Sequence, residues 1–491
     1  MGLAWFVLRL VVKLSFFLLR SFFRISFFLA RRLLALQRTS HGSARWAGWF
    51  DLIRGGAWGR RDGLIVAKAY GRFVRHRSDG AALVYAPMGS GKGVGLVIPN
   101  LIDHPGALIC TDPKGENLAV TGRWRQTLGP VYRLDALHPE TAHRFNPFDM
   151  IRAGTHHEAD DIAALADLLI TPESSEAHWD TSARQLTAML IGHVLHAYPP
   201  PLRTLSAVRE LIALGGDSFR AELERMARCP VPSIAEQARI VLGGFDTDEM
   251  ASVISNAAKA LQFWSRDRIG GLLTSVSDFD FLNMHIRTKT IYVVVPEDKL
   301  RVYQPFLRLM MGCALAAAVR GKELPPPKHK PLLLIDEAAA LGRLEALENG
   351  LGYLRAYARI LLVFQDIGQI TRLYGEYGAR TFLAASSCQV AFNVHDNMTA
   401  RELAEAIGMT TTLSHSHGSS QPSTAFLHHQ LQAGHAESGR YLLDPAEIRR
   451  QPAHRCLVFL PDRVPMPIRG RKVRYYTIRR WQGRWDRWRP A

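Results

Sequence analysis

The segment from Ala81 to Val94 leaves this chain few folds to adopt. Residues 81–85 are apolar and predict a buried strand, and Gly89, Gly91, Lys92 and Gly93 follow before an apolar helical stretch. Glycines let consecutive backbone N–H groups turn inward around an anion, and a helix N-terminus adds a favourable dipole. A lysine at this point reaches the same anion. The segment therefore predicts a phosphate-binding loop between a strand and a helix.

This loop departs from the common GxxxxGK[S/T] pattern at two positions. Ala86 replaces the first glycine, and Gly93 stands where a Ser or Thr hydroxyl usually contacts magnesium. A glycine-rich turn with a chance lysine is the alternative interpretation. The residues predicted to bind the nucleotide are the eight consecutive ones Pro87, Met88, Gly89, Ser90, Gly91, Lys92, Gly93 and Val94.

Two later apolar runs end in side chains suited to nucleotide hydrolysis. Residues 332–335 lead into Asp336 and Glu337, and residues 361–364 lead into Gln365. In NTPases a strand of the first kind runs beside the phosphate-binding loop, its first carboxylate organises magnesium, and its second polarises the attacking water. A glutamine after the next strand contacts the γ-phosphate or the water, although it also serves simply to cap a strand. The pattern predicts hydrolysis of ATP, with Mg²⁺ held by Asp336.

Short Val-, Leu- and Ile-rich runs recur along the chain and are separated by helical or loop segments. This spacing is typical of buried strands in a mostly parallel, doubly wound α/β sheet. Residues 153–275 contain helical patterns without strand-like runs, which predicts an all-α domain inserted into the α/β domain. The apolar runs lie at 81–85, 107–110, 130–134, 289–295, 331–335, 359–364 and 388–394.

A polar stretch, residues 414–439, contains five histidines. Histidine clusters bind metals in some proteins, so a metal site is the alternative interpretation of this stretch. We expect a surface loop or an edge hairpin. The five cysteines are far apart and lack paired spacing, which argues against a disulfide framework and a zinc finger.

The N-terminal segment, residues 1–40, is rich in Phe and Leu and carries seven Lys or Arg but no acidic residue. The cations interrupt it too often for a simple membrane span of about 18–20 apolar residues. Five of them, from Arg9 to Arg31, fall within an arc of about 60° on a helix. The stripe predicts a helix lying in the headgroup region of an anionic membrane. A spanning helix, acidic partner helices, and packing on its own domain are the alternatives.

The net charge of +17 is concentrated at the two ends of the chain. Residues 463–491 carry ten Lys or Arg and one Asp, whereas the 422 residues between the two ends have a net charge of only +1. Arginines interleaved with aromatic residues suit single-stranded nucleic acid, and they also suit a lipid interface. The interleaved residues are Arg469, Arg471, Lys472, Arg474, Arg479, Arg480, Arg484, Arg487 and Arg489, with Tyr475, Tyr476, Trp481, Trp485 and Trp488.

Several strings resemble, in order along the chain, the type IV coupling proteins (the TraG/TraD-type conjugation ATPases). They run from about residue 80 to residue 476. The strings are APMGSGKGVGLVIPNL (86–101), TDPKGEN (111–117), RFNP (144–147), YVVVP (292–296), LLLIDEAAALGRLEAL (332–347), FQDIGQITRLYG (364–375), LLDPAEIRR (442–450) and PIRGRKVRYY (467–476).

The resemblance implies a P-loop (RecA-like) ATPase in which Lys92 binds phosphate, Asp336 organises Mg²⁺ and Glu337 activates water. Gln365 is then the γ-phosphate sensor. It also implies a homohexamer with nucleotide between subunits and an arginine supplied in trans, for which Arg380 and Arg372 are the candidates. The implied domains are a membrane-associated helix (1–40), a nucleotide-binding domain in two parts (41–152 and 276–462), an all-α substrate-engaging domain (153–275) and a basic aromatic tail (463–491).

The implied function is recruitment of DNA–relaxase complexes, protein effectors or both to a type IV secretion channel at the cytoplasmic face of the bacterial inner membrane. Single-stranded DNA, the relaxase or effectors, channel components and anionic lipid are the implied partners. Two alternatives are a nucleotide-binding recruitment platform with little hydrolysis and an FtsK/HerA-like DNA translocase. Family members usually begin with two membrane spans and a periplasmic loop, and a single cation-striped helix departs from that pattern.

Overall fold

A computed structural model describes residues 39–58, 62–171, 177–419 and 431–488, together with Ser26. The predicted N-terminal helix lies almost entirely outside these residues, so its association with a membrane stays a prediction. Within the described ranges, no helix is both long and apolar enough to cross a bilayer.

The chain contains thirteen strands among its described residues, in one large sheet and one hairpin. Their bounds are β1 Leu64–Ala69, β2 Arg72–His76, β3 Ala81–Tyr85, β4 Leu108–Asp112, β5 Val131–Asp135, β6 Thr290–Val294, β7 Leu332–Ile335, β8 Arg359–Phe364, β9 Ser386–Phe392, β10 Met409–Ser419, β11 Leu431–Tyr441, β12 Arg455–Leu460 and β13 Val464–Arg471.

The large sheet has the strand order β2-β1-β13-β12-β9-β3-β8-β7-β4-β6-β5. From β9 to β5 all neighbours are parallel, whereas β12, β13, β1 and β2 extend the sheet with antiparallel pairs. Strands β3, β4 and β6 are buried along their whole length. Continuous apolar runs of this kind are needed where helices cover both faces of a sheet, and the predicted mostly parallel α/β fold is confirmed.

The carboxylate-bearing strand does not directly neighbour the strand that leads into the glycine-rich loop. Strand β8 lies between them, because β3 pairs with β8 and β8 pairs with β7. Gln365, at the end of β8, is therefore placed between the loop and the two carboxylates. The sequence also gave no indication of the β1–β2 hairpin or of β12 and β13.

Helices connect the parallel strands, and between β5 and β6 the described residues form helical elements without strands. The long helix that follows Gln365, α14 (Ile367–Ala385), is broken at Gly375, whose φ of 72° and ψ of 177° are not helical. The helices are α1 Trp49–Arg54, α2 Ile98–Asp103, α3 Glu116–Gln126, α4 Glu158–Leu169, α5 Ala177–Ala197, α6 Leu205–Ala213, α7 Gly216–Met226, α8 Pro232–Gly243, α9 Asp248–Leu261, α10 Ile269–Leu273, α11 Gln304–Arg320, α12 Glu345–Glu348, α13 Leu351–Leu354, α14 Ile367–Ala385, α15 Asn397–Ile407 and α16 Pro445–Arg449.

Backbone packing divides the chain into two compact units. The larger unit, residues 46–399 and 449–491, holds the large sheet and also the helices of 158–273, so the domain boundaries at 153 and 275 stay a prediction. The smaller unit comprises residues 1–45 and 400–448. Its antiparallel hairpin pairs Met409 with Tyr441 and continues to Ser419 and Leu431. The polar, histidine-rich stretch forms most of this hairpin.

The C-terminal segment packs against other parts of the larger unit as far as Trp488. Trp481 is fully buried and stacks on Phe73, with the ring centroids 5.4 Å apart. Trp485 and Trp488 pack against the same apolar cluster. The segment is also held by a hydrogen bond of 2.9 Å from the Asp486 N–H to the carbonyl of residue 120. Aromatic side chains bury large apolar areas, which explains why this basic segment folds back onto the sheet.

Candidate nucleotide site

The glycine-rich loop begins where β3 ends, at the carboxyl edge of the parallel strands. Its first N–H, from Ala86, donates to the carbonyl of Phe364 at 2.8 Å and so ties the loop to the end of β8. Gly89 and Gly91 have φ of 73° and 78°. An added Cβ would meet nothing within 4 Å at either position, so glycine is required there by the left-handed backbone and not by crowding. A π-helical turn, residues 93–97, then leads into α2.

Lys92 points from this loop to the two carboxylates after β7. Its Nζ lies 2.8 Å from Glu337 Oε2 and 3.2 Å from Asp336 Oδ1. Burial alone would lower the pKa of Lys92, but the charges of Asp336 and Glu337 outweigh burial and raise it. Burial raises the pKa of Asp336. The cation and the two carboxylates thus stabilise one another in a site that is largely shielded from water.

Gln365 completes this arrangement from the end of β8. Its Nε2 donates to Glu337 Oε1 at 2.8 Å, so both oxygens of Glu337 have partners. Glu337 itself has a φ of 65° and a ψ of 62°. A non-glycine residue in the left-handed region costs about 1 kcal/mol or more and is concentrated at functional sites. The backbone at Glu337 is therefore strained in the conformation that directs its carboxylate to Lys92 and Gln365.

These side chains line a cavity of about 430 Å³. Of the eight predicted nucleotide-binding residues, six line it, whereas Pro87 and Ser90 do not. Ser90 is buried, and its Oγ has no hydrogen-bond partner among the described residues. Arg380 and Arg372 are exposed on α14 and do not line the cavity of their own chain. The lining residues are Met88, Gly89, Gly91, Lys92, Gly93, Val94, Asp112, Pro113, Lys114, Glu116, Asn117, Glu297, Leu300, Asp336, Glu337 and Gln365.

The end of β4 adds a further acidic residue, Asp112, to the cavity, which reasoning from residue types alone did not assign. Asp112 is buried, and burial raises its pKa to about 7 even though its carboxylate accepts backbone N–H bonds from Lys114, Asn117 and Leu118. The neighbouring Thr111 hydroxyl donates to the carbonyl of Asp336 at 2.8 Å. This bond joins the ends of β4 and β7. The TDPKGEN string, noted only for its family resemblance, was the signal that marked these residues.

Lys472, which follows β13, is a second functional candidate that the sequence did not reveal. Its Nζ donates to the carbonyl of Ser90 at 2.6 Å and to Asn393 Oδ1 at 3.0 Å. A contact between a loop at residue 90 and a lysine 382 positions later has no local sequence signal. It exists because β13 ends at the same edge of the sheet as β3.

The donor set fits a magnesium nucleotide. Mg²⁺ is usually bound through one or two carboxylates together with substrate phosphates and water, and Asp336 and Glu337 supply carboxylates in reach of Lys92. Asp336 Oδ1 is buried and lacks a hydrogen bond of good geometry, although the lysine lies 3.2 Å away. That oxygen is therefore free to bind a cation once Lys92 turns to phosphate.

Comparison with known proteins finds relatives in conjugation systems. Residues 45–487 match a family model described as Type IV secretory system Conjugative DNA transfer. The chain is 29% identical to protein VirD4 of Agrobacterium fabrum over 457 residues, which cover 89% of this chain and 66% of that protein. It is 30% identical to a conjugal transfer protein TraG of Escherichia coli over 460 residues, covering 84% and 71% of the two chains.

Solved structures share the fold at low sequence identity. The conjugative coupling protein TrwB lacking its N-terminal 70 residues matches with a TM-score of 0.65 and 17% identity, over 87% of this chain and 92% of that one. TrwB in complex with ADP and Mg²⁺ matches with a TM-score of 0.64. Because the family match extends over most of the chain, the protein belongs to the type IV secretory system conjugative DNA transfer family.

Proposed function

We propose that the protein is an ATP-hydrolysing coupling protein that recruits DNA–relaxase complexes, protein substrates or both to a type IV secretion channel and drives their transfer. The observation that carries this proposal is the connected set Lys92, Glu337 and Gln365, which lines one cavity at the phosphate-binding loop. Family membership supports the transport role. The chain spans about two thirds of the length of VirD4.

Each side chain has a defined task in this proposal. Backbone N–H groups of the loop and Lys92 Nζ bind the β- and γ-phosphates of ATP, and Asp336 holds Mg²⁺, which neutralises charge on the phosphates when bound. Glu337 orients and polarises the attacking water, and Gln365 contacts the γ-phosphate or that water. TrwB, which shares the fold, has been solved with ADP and Mg²⁺ and with an ATP analogue.

In this proposal the contacts within the cavity also keep the general base, Glu337, away from water until nucleotide binds. Lys92 and Gln365 occupy both oxygens of Glu337. When phosphate attracts Lys92, Glu337 Oε2 loses its cation and becomes available to water. The general base is thus restrained until substrate is present, and Gln365 changes partner at the same time.

Assembly and location belong to the same proposal. The family resemblance supports a homohexamer, in which α14 would present Arg380, or Arg372, to the nucleotide of a neighbouring subunit. Both arginines are exposed. We further propose that residues 153–275 engage substrates and that residues 1–40 bind anionic lipid at the cytoplasmic face of the inner membrane, as the cation stripe suggests.

One observation favours a recruitment platform that binds nucleotide with little hydrolysis. Gly93 lacks the hydroxyl that commonly contacts magnesium, and Ala86 replaces a loop glycine. In that case nucleotide stabilises the hexamer without powering transfer.

Steady-state ATP turnover separates the two functions. The full chain is measured with single-stranded DNA beside the Lys92→Ala variant. The motor proposal expects turnover well above that of the variant, whereas equal rates with retained nucleotide binding would support the platform. Release from membranes on deletion of residues 1–36 tests the anchoring role, and continued sedimentation with them would contradict it.

A further inference from the structure

Lys472 contacts the phosphate-binding loop at Ser90, and since neither residue lines the cavity, we call this the outer side of the loop. Its Nζ donates to the Ser90 carbonyl at 2.6 Å and to Asn393 Oδ1 at 3.0 Å, and it lies 4.9 Å from the centroid of the Phe392 ring. Among the described residues it forms no ion pair with a carboxylate. A half-buried lysine without a counter-charge is costly, so its position needs a reason beyond ordinary surface pairing.

The Ser90 carbonyl determines the direction of the next amide. In a trans peptide the C=O and the following N–H point in opposite directions. Lys472 pulls the Ser90 carbonyl outward, and the Gly91 N–H must then point the other way, toward the cavity that Gly91 lines. This N–H donates to no other described residue. It is therefore available to an anion.

The second acceptor of Lys472 is itself held in an unusual conformation. Asn393, directly after β9, has a φ of 44°, a left-handed conformation that asparagine tolerates better than most residues. Residues 472 and 473 also pack close to Gly95 of the turn after the loop, where an added Cβ would lie 3.5 Å from Lys472 Cβ. Two strand ends, β9 and β13, thus fix the lysine against the loop.

We propose that Lys472 and Asn393 form a clamp on the Ser90–Gly91 peptide that aims the Gly91 N–H at the phosphates of the nucleotide. Lys472 is then a positioning residue, since it acts on the nucleotide through the loop. The proposal rests on the proposed nucleotide-binding function. Burial lowers the pKa of Lys472 to about 8, in agreement with a lysine that has only neutral acceptors.

The test is the affinity of the full chain for a fluorescent ADP analogue, measured without Mg²⁺ so that loop contacts dominate. We expect Lys472→Met to raise Kd about 10-fold, because removing a charge-assisted hydrogen bond releases the peptide. Lys472→Arg should stay within about threefold of the wild type, since it keeps a cationic donor. Lys68→Met, on the neighbouring strand β1, is the matched control with a half-buried lysine outside the cavity.

Two further readouts distinguish a clamp from a purely structural contact. Nucleotide should protect the backbone amides of residues 88–92 from hydrogen exchange in the wild type and much less in Lys472→Met. If that variant folds poorly, Asn393→Ala serves instead, with an expected increase in Kd of about threefold. A melting temperature that falls while Kd and protection stay at wild-type values would overturn the proposal.

The outcome also separates this inference from the function it builds on. If Lys92→Ala binds the analogue as tightly as the wild type does, nucleotide binding at this cavity is wrong. If binding requires Lys92 but Lys472→Met matches Lys68→Met, only the clamp is wrong.

Discussion

Two lysines approach the same glycine-rich loop from opposite sides, and their surroundings differ. Lys92, on the cavity side, is paired with two carboxylates that raise its pKa. Lys472, on the outer side, has two neutral oxygen acceptors, and burial lowers its pKa to about 8. In the proposed mechanism the inner lysine exchanges its carboxylate partners for phosphate, whereas the outer lysine keeps its contacts when nucleotide binds. Binding and positioning are thus assigned to different cations.

The largest effect should follow from removing the inner lysine. Lys92→Ala is expected to weaken ATP binding at least about 100-fold, because loss of a buried charge-assisted contact is combined with two carboxylates left facing the phosphates. Fluorescence titration or calorimetry measures the change, with Lys68→Met as control. A Kd within threefold of the wild type would show that Lys92 does not bind the phosphates, and the proposed difference between the two lysines would be wrong.

The next largest effect concerns the carboxylate that Lys92 holds. Glu337→Gln keeps the shape of the side chain and an oxygen for Lys92, but it removes the base. We expect kcat for ATP hydrolysis to fall about 100-fold while Kd for ATP stays within about threefold. Single-turnover hydrolysis measured beside equilibrium binding separates the two quantities. Loss of binding with normal kcat would instead assign Glu337 to holding Lys92 and Gln365 in place for nucleotide binding.

A smaller effect is the pH dependence that the outer lysine gives to stability. Its pKa is about 8 in the folded chain and 10.5 as the ordinary value. Between these values the unfolded chain binds more protons, so the free energy of unfolding rises with pH over this window. The melting temperature of the wild type should therefore increase relative to that of Lys472→Met from pH 8 to pH 10. Lys68→Met is the control, and a constant difference across this range would contradict the assigned environment.

The smallest effect is expected at the missing loop hydroxyl. A Cβ added at Gly93 meets only Glu116 Oε2, at 3.9 Å, so Gly93→Ser should fold normally. Without Mg²⁺ its nucleotide affinity should equal that of the wild type, and with Mg²⁺ it should rise by about two- to fivefold. Titrations with Mg²⁺ and with EDTA provide the comparison. If Gly93→Ser and the wild type bind nucleotide equally well both with Mg²⁺ and with EDTA, a hydroxyl at this position has no access to the metal.

Much of this arrangement could be predicted from the sequence because its signals are local. The loop, the apolar run into Asp336 and Glu337, and the run into Gln365 each combine a strand pattern with a polar end, and parallel strands place such ends at one edge. The same residues also lie within the strings that resemble the type IV coupling proteins. In the structure these ends lie close together, since Lys92 and Gln365 both contact Glu337.

The remaining features depend on contacts between distant parts of the chain. Lys472 and Ser90 meet only because antiparallel strands β12 and β13 return the chain to the carboxyl edge, and no local pattern encodes that return. The packing of the C-terminal segment was not predicted, for a related reason. Its arginine and tryptophan composition suits nucleic acid or lipid, but composition does not reveal that Trp481 is buried on Phe73.

The break in α14 at Gly375 links two parts of the proposed mechanism. The first half of this helix starts directly after Gln365 and Asp366, and the second half carries Arg380. The conformation of Gly375, with φ 72° and ψ 177°, is one that essentially only glycine adopts without strain. A helix of this kind is two rigid rods with a joint. In the proposed hexamer, movement of Gln365 on loss of the γ-phosphate would tilt the first rod, and the angle at Gly375 would determine how much of that motion reaches Arg380.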